Sequence, residues 1–255
     1  MPTWDPNQYL RFERERTLPC RDLIARIAGG TPARIIDLGC GTGSSTALLR
    51  AQWPKARITG LDSSPEMIAA ATASDGSVTW CLADARTWTA EEPFDLVFSN
   101  AALHWLPDHA ALFPHLLRQV ASGGALAVQM PVNFDSPAHR AIREVAESPS
   151  WAPRWGSGLT SAHVAPPASY FDWLTPDASG VELWQTEYVH ALPDAAAIVE
   201  WVKGTTLRPY LDRISAGERE EFLAEITRKV ALAYLPQRNG QVLFPFRRQF
   251  LVAHR

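Results

Sequence analysis

Short apolar runs alternate with amphipathic stretches through the first half of the chain. Arg34 to Leu38, Arg57 to Leu61, Val78 to Leu82, Leu96 to Ser99 and Ala125 to Met130 are too short for helices and carry many β-branched residues, so they read as buried strands. Between them, helical patterns run over Ser44 to Gln52, Pro65 to Ala73 and His109 to Val120, the last stopped by "SGG" at Ser122 to Gly124. This alternation predicts an α/β fold with a doubly wound parallel sheet. Any site then belongs in the loops at the carboxyl ends of the strands.

Beyond Met130 the pattern changes. "PVNFDSPAH" and "ESPSWAPRWGSG" read as lid or loop material around a helix near Ala138 to Glu147. A helix near Ala168 to Leu174 leads to a strand over Val181 to His190, and helices over Asp194 to Val202 and Ser215 to Tyr234 suit a small helical cap. In the closing "GQVLFPFRRQFLVAHR", the alternation of Phe246, Phe250 and Val252 after a turn at Asn239 and Gly240 predicts a strand returning to the sheet. The chain is thus expected to form one domain over 1–255. Its parts are a helical leader (1–30), a ligand-binding core (31–130), lid and helices (131–175), a cap (194–236) and a terminal strand (241–255). Of the 10 tryptophans, Trp53, Trp173, Trp184 and Trp201 are assigned to core and cap, while Trp151 and Trp155 are the better lid residues.

Composition narrows the class. Hydrophobic residues at 46% and charged residues at 20% describe an ordinary globular protein. A net charge of -3 with scattered Lys and Arg leaves no footprint for nucleic acid. The start "MPTWDPNQYL" is no secretory signal, and no apolar run reaches the roughly eighteen residues of a membrane span, so a cytoplasmic location without a membrane partner is expected. Cys20, Cys40 and Cys81 are odd in number and form no CxxC pair. Packing is their expected role, with no disulfide framework and no metal site.

The chemistry concentrates in "IIDLGCGTGSST", where Gly39, Gly41 and Gly43 occupy the turn between a strand and a helix. Glycine there permits left-handed dihedrals and lets a ligand reach bare backbone. The dinucleotide fingerprint would place its third glycine at position 44, which is Ser44. Asp37, in the loop's floor, suits a ligand carrying an ammonium group and a sulfonium, as S-adenosylmethionine does. Asp62, with Ser63 beside it, closes the second strand where a carboxylate accepts from adjacent ribose hydroxyls. Asp84 follows the third strand, where its side chain can meet an adenine amino group and the Ala85 amide a ring nitrogen. Asn100 ends the fourth strand, suited to the amino-acid end of the ligand. Structural alternatives stand beside these: Asp62 as a cap for the helix at Pro65, and Asp84 as a turn residue.

Together, "DLGCGTG", "GLDSSPEM", "ADARTW" and "SNAALHWLPD" resemble the motif series of the class I S-adenosylmethionine-dependent methyltransferases. "WDPNQYLRF", "LFPHLL", "LAVQMPVNF", "EWVKGTTLRPYL" and "PQRNGQVLFPFRRQFLVA" extend the likeness, over nearly the full chain, to the bacterial trans-aconitate 2-methyltransferases. The resemblance implies a Rossmann-like sheet, S-adenosylmethionine as cofactor with Tyr9, Arg16, Asp37, Gly39, Cys40, Gly41, Asp62, Ser63, Asp84, Ala85 and Asn100 around it, and a polycarboxylate substrate. The implied reaction esterifies one carboxylate of trans-aconitate and leaves S-adenosylhomocysteine.

A carboxylate with a pKa of about 4 is ionised at neutral pH, so this acceptor needs no general base. The protein's work is to orient it. Arg208 supplies a bidentate fork for carboxylates that do not react, and Tyr210 a hydroxyl donor. His104 and Trp105 follow Asn100 and, on the motif reading, face the methyl group: His104 as the candidate catalytic donor, Trp105 as a shield from water. Gln129 is a further substrate candidate, and Tyr9, Phe12 and Arg16 form one face of a leader helix over the cofactor. A monomer or weak dimer is expected. Three other classes remain: a nicotinamide oxidoreductase, which would prefer the missing glycine; a module that binds cofactor without catalysis; and a methyltransferase for another acceptor. A phenol acceptor would usually need a base such as His104.

Overall fold

The computed structural model describes residues 13–156, 159 and 162–255. The leader residues Tyr9 and Phe12, and the side chain of Arg16, lie outside the described residues. The strands are β1 (Arg34–Leu38), β2 (Arg57–Asp62), β3 (Thr79–Leu82), β4 (Phe94–Asn100), β5 (Val120–Pro131), β6 (Gly180–Leu192) and β7 (Val242–His254), joined in one 7-stranded sheet of order β3-β2-β1-β4-β5-β7-β6. From β3 to β5 every pairing is parallel, and β7 enters antiparallel to β5. The predicted α/β sheet is present, and the order reverses beside β1, where the first crevice for a ligand opens.

The described helices are α1 (Glu13–Ile27), α2 (Ser44–Gln52), α3 (Pro65–Ser74), α4 (His109–Leu117), α5 (Pro137–Ala146), α6 (Pro167–Leu174), α7 (Ala195–Lys203), α8 (Arg208–Leu211) and α9 (Ala216–Ala233). Several of their starts follow capping chemistry. Ser64 accepts from the Met67 amide with Pro65 behind it, Asp194 from the Ala197 amide, and Ser215 with Glu218 closes a reciprocal box at α9.

One expected boundary moves. The "SGG" segment lies inside β5 and does not end α4. Helix α4 stops at Leu117, and Gly123 takes φ 79 while the pairing with β4 shifts register between Phe94 and Leu96. A Cβ at Gly124 would lie 2.6 Å from the Asp95 carbonyl oxygen, so the glycines serve an irregular strand entry where backbones approach closely.

The chain forms two compact units. One comprises Glu13–Pro131, Ala162–Thr186 and Arg248–Arg255; the other includes Val132–Ser161 and Glu187–Arg247. In the first, Ile36, Leu38, Val97, Phe113, Leu126, Val128 and Leu251 build the core. In the second, Trp151 and Trp155 are core residues at 2% and 6% exposure, contrary to the lid reading. Their rings stack with centroids 6.1 Å apart, Phe222 meets Trp151 edge-on at 4.9 Å, and the Trp155 indole donates to the Ala146 carbonyl at 2.7 Å. The Pro- and Ser-rich composition concealed a pair of aromatic anchors four residues apart. Cys20 and Cys40 are buried and free, and burial pushes their thiols up, as expected of packing residues. Among the described residues no helix is long and apolar enough to cross a membrane, and no cluster of His, Cys, Asp and Glu could hold a metal.

Candidate active site

Each glycine of the β1–α2 loop answers a different demand. Gly39, Gly41 and Gly43 all take positive φ, at 69, 55 and 92. A Cβ at Gly39 would lie 2.2 Å from the Ala102 Cβ, and one at Gly43 would lie 2.9 Å from the Trp80 ring. Gly39 therefore lets the loop pack against the segment after β4, and Gly43 lets it pack on β3. Around Gly41 nothing lies within 4 Å of the Cβ position, so its backbone is the part open to a ligand. The Gly39 and Cys40 amides donate to the Leu61 carbonyl at 2.7 and 3.0 Å, pinning the turn to β2.

Two carboxylates hold this loop. Asp62 Oδ2 accepts from the Gly41 amide at 3.0 Å and Oδ1 from the Ser64 amide at 2.9 Å, so one side chain fixes both the loop and the start of α3. Ser63 beside it is exposed. Asp37 is wholly buried, and its Oδ2 accepts from the Ser45 and Thr46 hydroxyls, each at 2.6 Å. Burial pushes its carboxyl up to about 6 against the pull of those two hydroxyls, with the Asp62 charge adding to the rise. Asp37 Oδ1 is buried and finds no hydrogen-bond partner.

At the end of β3, Asp84 makes the turn: its Oδ1 accepts from the Arg86 amide at 2.9 Å and its Oδ2 from Arg86 Nε at 2.9 Å. That pairing holds the Asp84 carboxyl below its ordinary value. Ala85 is buried. Asn100 and Gln129 stand opposite one another on β4 and β5 and share a sheet face. The Asn100 Oδ1 and both amide atoms of the fully buried Gln129 have no hydrogen-bond partner. Three neighbouring strands thus present orphaned polar atoms near the carboxyl edge. Such atoms cost about 1–3 kcal/mol each when left unpaired, so they mark a place where partners matter.

After Asn100 the chain makes a single 3-10 turn, Leu103–Trp105, framed by two non-glycine residues with positive φ, Ala101 at 53 and Asp108 at 54. His104 is buried there with its ring 4.5 Å from that of Trp105, which is half-buried. Burial, then the Arg248 charge, then His109 push His104 down to about 3, so its imidazole is neutral at working pH.

Arg208 and Tyr210 lie in the other compact unit, on α8. Arg208 Nε is 3.6 Å from Asp212, and the guanidinium side chain is 14% exposed. Tyr210 is half-buried, meeting Trp155 edge-on at 5.1 Å, and burial raises its hydroxyl pKa. Ser45, Thr46 and Trp80 escaped the reading of the sequence. The two hydroxyls follow the glycine loop in the first turn of α2, a position that alone signals a partner for a floor carboxylate; Trp80 left no such signal.

The comparisons with known proteins bear on this site directly. A family model described as a methyltransferase domain matches residues 12–185, which include every loop just described from Gly39 to Trp105. Over 255 residues, 100% of both chains, the protein is 49% identical to the trans-aconitate 2-methyltransferase of Azoarcus sp. (strain BH72). The chain belongs to the trans-aconitate 2-methyltransferase family of methyltransferases. A second relative of that name, from Methylobacterium nodulans, is 49% identical over 256 residues, covering 100% of this chain and 99% of its own. Among solved structures, the YcgJ protein of Bacillus subtilis matches 92% of this chain and 99% of its own with a TM-score of 0.59 at 12% identity, a likeness of fold. The methyltransferase sheet is that of the family, and the glycine loop, Asp62 and Asn100 occupy its carboxyl edge.

Proposed function

We propose that the protein transfers the methyl group of S-adenosylmethionine to one carboxylate of trans-aconitate, giving a monomethyl ester and S-adenosylhomocysteine. The observation that carries this reading is the open Gly41 backbone flanked by Asp62 and by the orphaned acceptors of Asp37 and Asn100, in a chain matched end to end by relatives of that name. Those residues fit the cofactor. Asp62 keeps unused lone pairs that would accept from ribose hydroxyls, Asn100 Oδ1 would accept from an ammonium group, and Asp37 would supply negative charge to it. Cys40, Gly39, Gly41, Ser63 and the Ala85 amide complete the cradle, and Tyr9 and Arg16 are assigned to its leader side. Asp84 is first of all the partner of Arg86, so its share in holding adenine runs through the turn it makes.

When bound, the cofactor supplies an electrophilic methyl on a sulfonium. The chain's task is then orientation. An acceptor carboxylate is already ionised, so no residue has to remove a proton, and a His104 pushed down to about 3 is in any case a weak base. His104 therefore serves as a positioning donor, Trp105 as a shield and Gln129 as a further group for the acceptor; Arg208 and Tyr210, in the other unit, keep their assignment as carboxylate donors from the family resemblance. We place the enzyme in the cytoplasm, working as a monomer or weak dimer on a small polycarboxylate without nucleic acid.

The test is methyl transfer from labelled S-adenosylmethionine to trans-aconitate, cis-aconitate, citrate, isocitrate and a phenolic acid, with the ester identified by mass spectrometry. Selective labelling of trans-aconitate is the expected result. Labelling of another acid moves the acceptor, and cofactor binding without any product marks a module that binds without reacting.

A further inference from the structure

Outside the residues assigned above, one buried network connects α4 and α6 to the turn that carries His104 and Trp105. His109 Nε2 lies 3.0 Å from the Leu103 carbonyl oxygen and Nδ1 lies 2.6 Å from the Tyr170 hydroxyl, which also accepts from the Ala165 amide at 3.1 Å. A carbonyl only accepts, so Nε2 carries the proton, and Nδ1 accepts from the Tyr170 hydroxyl. The chain of donors runs one way: Ala165 to Tyr170 to His109 to Leu103. Alongside it the His163 amide donates to the His104 carbonyl at 2.6 Å. Phe113 meets Tyr170 edge-on at 4.7 Å, and both His109 and Tyr170 are buried.

The segment held this way is strained at both ends, by Ala101 and Asp108 with φ near the left-handed helix. Non-glycine residues stay in that region only where their surroundings over-determine them. The arm that does so is itself stiff, since Pro166 and Pro167 fix the entry to α6. We infer that His109 and Tyr170 are positioning residues for the acceptor, holding the Leu103–Trp105 turn by the Leu103 carbonyl so that His104 and Trp105 keep one orientation. This rests on the reading above of that turn as acceptor-facing. Their hydrogen bonds run to Leu103, to Ala165 and to each other rather than to the glycine loop, so acceptor and cofactor should respond differently to the loss of either residue.

Tyr170→Phe removes the donor to Nδ1 and the acceptor of the Ala165 amide. The acceptor KM should rise at least about tenfold while the S-adenosylhomocysteine Kd stays within about twofold. His109→Gln keeps a donor for the Leu103 carbonyl and should stay within about threefold of the wild type, whereas His109→Phe should match Tyr170→Phe. An unchanged KM, or an equal loss of acceptor and cofactor affinity, overturns the proposal. Nitrogen NMR of the wild type needs no variant: a proton on Nε2 is expected, and one on Nδ1 overturns it. If the wild type binds S-adenosylhomocysteine but methylates none of the acids, the acceptor reading falls while the tether is still decided by hydrogen exchange. The Trp105 and Leu106 amides should then exchange at least about tenfold faster in Tyr170→Phe, and unchanged exchange removes the tether.

Discussion

Asp62 and Gly41 are joined by a hydrogen bond of 3.0 Å from the loop amide to the carboxylate, which couples the end of β2 to the open part of the glycine loop. The same carboxylate holds the Ser64 amide, so one side chain ties the loop to the α3 start. Asp62→Ala should weaken S-adenosylhomocysteine binding at least about tenfold in calorimetry, through lost ribose contacts and a loosened loop. Unchanged affinity would end the ribose assignment.

His104 cannot serve as a proton store at neutral pH when burial and the Arg248 charge hold it down to about 3. The rate on trans-aconitate should therefore be flat above about pH 6 in both the wild type and His104→Ala, the variant being slower by a constant factor. A limb near neutrality that vanishes in the variant would mark proton transfer instead.

Arg208 is largely covered, with its Nε 3.6 Å from Asp212, and a planar guanidinium fork is the group that matches a carboxylate best. Arg208→Ala should raise the acceptor KM at least about tenfold and leave cofactor affinity unchanged. Steady-state kinetics with each substrate varied in turn decides it.

Asp37 makes stability depend on pH with an unusual sign. Its native pKa of about 6 lies above the ordinary 3.8, so between those values the native state holds a proton that the unfolded chain releases. Stability attributable to this group is present at low pH and falls as pH rises through about 4 to 6, by a total on the order of 3 kcal/mol. The unfolding free energy of the wild type relative to Asp37→Asn should decline across that window and level off above it.

His139 acts the other way. It is buried on α5 with Nδ1 2.8 Å from the Ser136 hydroxyl and Nε2 3.1 Å from that of Thr206, and burial lowers its pKa from 6.5 to about 4. The unfolded chain takes up a proton first, so stability is full above about pH 6.5 and is lost as pH falls toward about 4. In denaturant titrations, His139→Gln should flatten this acid limb; an unaltered limb would show that other groups dominate it.

Local features were legible in the sequence because they are caused locally. The β-branched run before the glycines made β1, and Ser44 to Gln52 became α2 as read. The helices expected from Pro65, Asp194 and Ser215 start within a residue of those positions, where Ser64, Asp194 and Ser215 prove to be the caps. Asp62 is singled out by its distance from the loop; in the structure Ser64 caps α3, and Asp62 binds the Ser64 and Gly41 amides.

What only the tertiary structure decided lies wherever distant segments meet. Gly39 is required by Ala102 and Gly43 by Trp80, neighbours that no local pattern names. Trp151 and Trp155 became core because Phe222 arrived from α9, and the "SGG" became an irregular strand entry because Asp95 on β4 came too close for a side chain. His109 and Tyr170 stand far apart in sequence, and their bond exists only once α4 and α6 pack together. The sequence by itself determined the order of strands and helices and the glycine loop, since periodicity and turn chemistry act over a few residues, while the family was carried by the resemblance of whole motifs. Burial, orphaned acceptors and the shifted pKa values of Asp37 and His104 depend on which surfaces lose water together, and that is settled only when the chain has closed on itself.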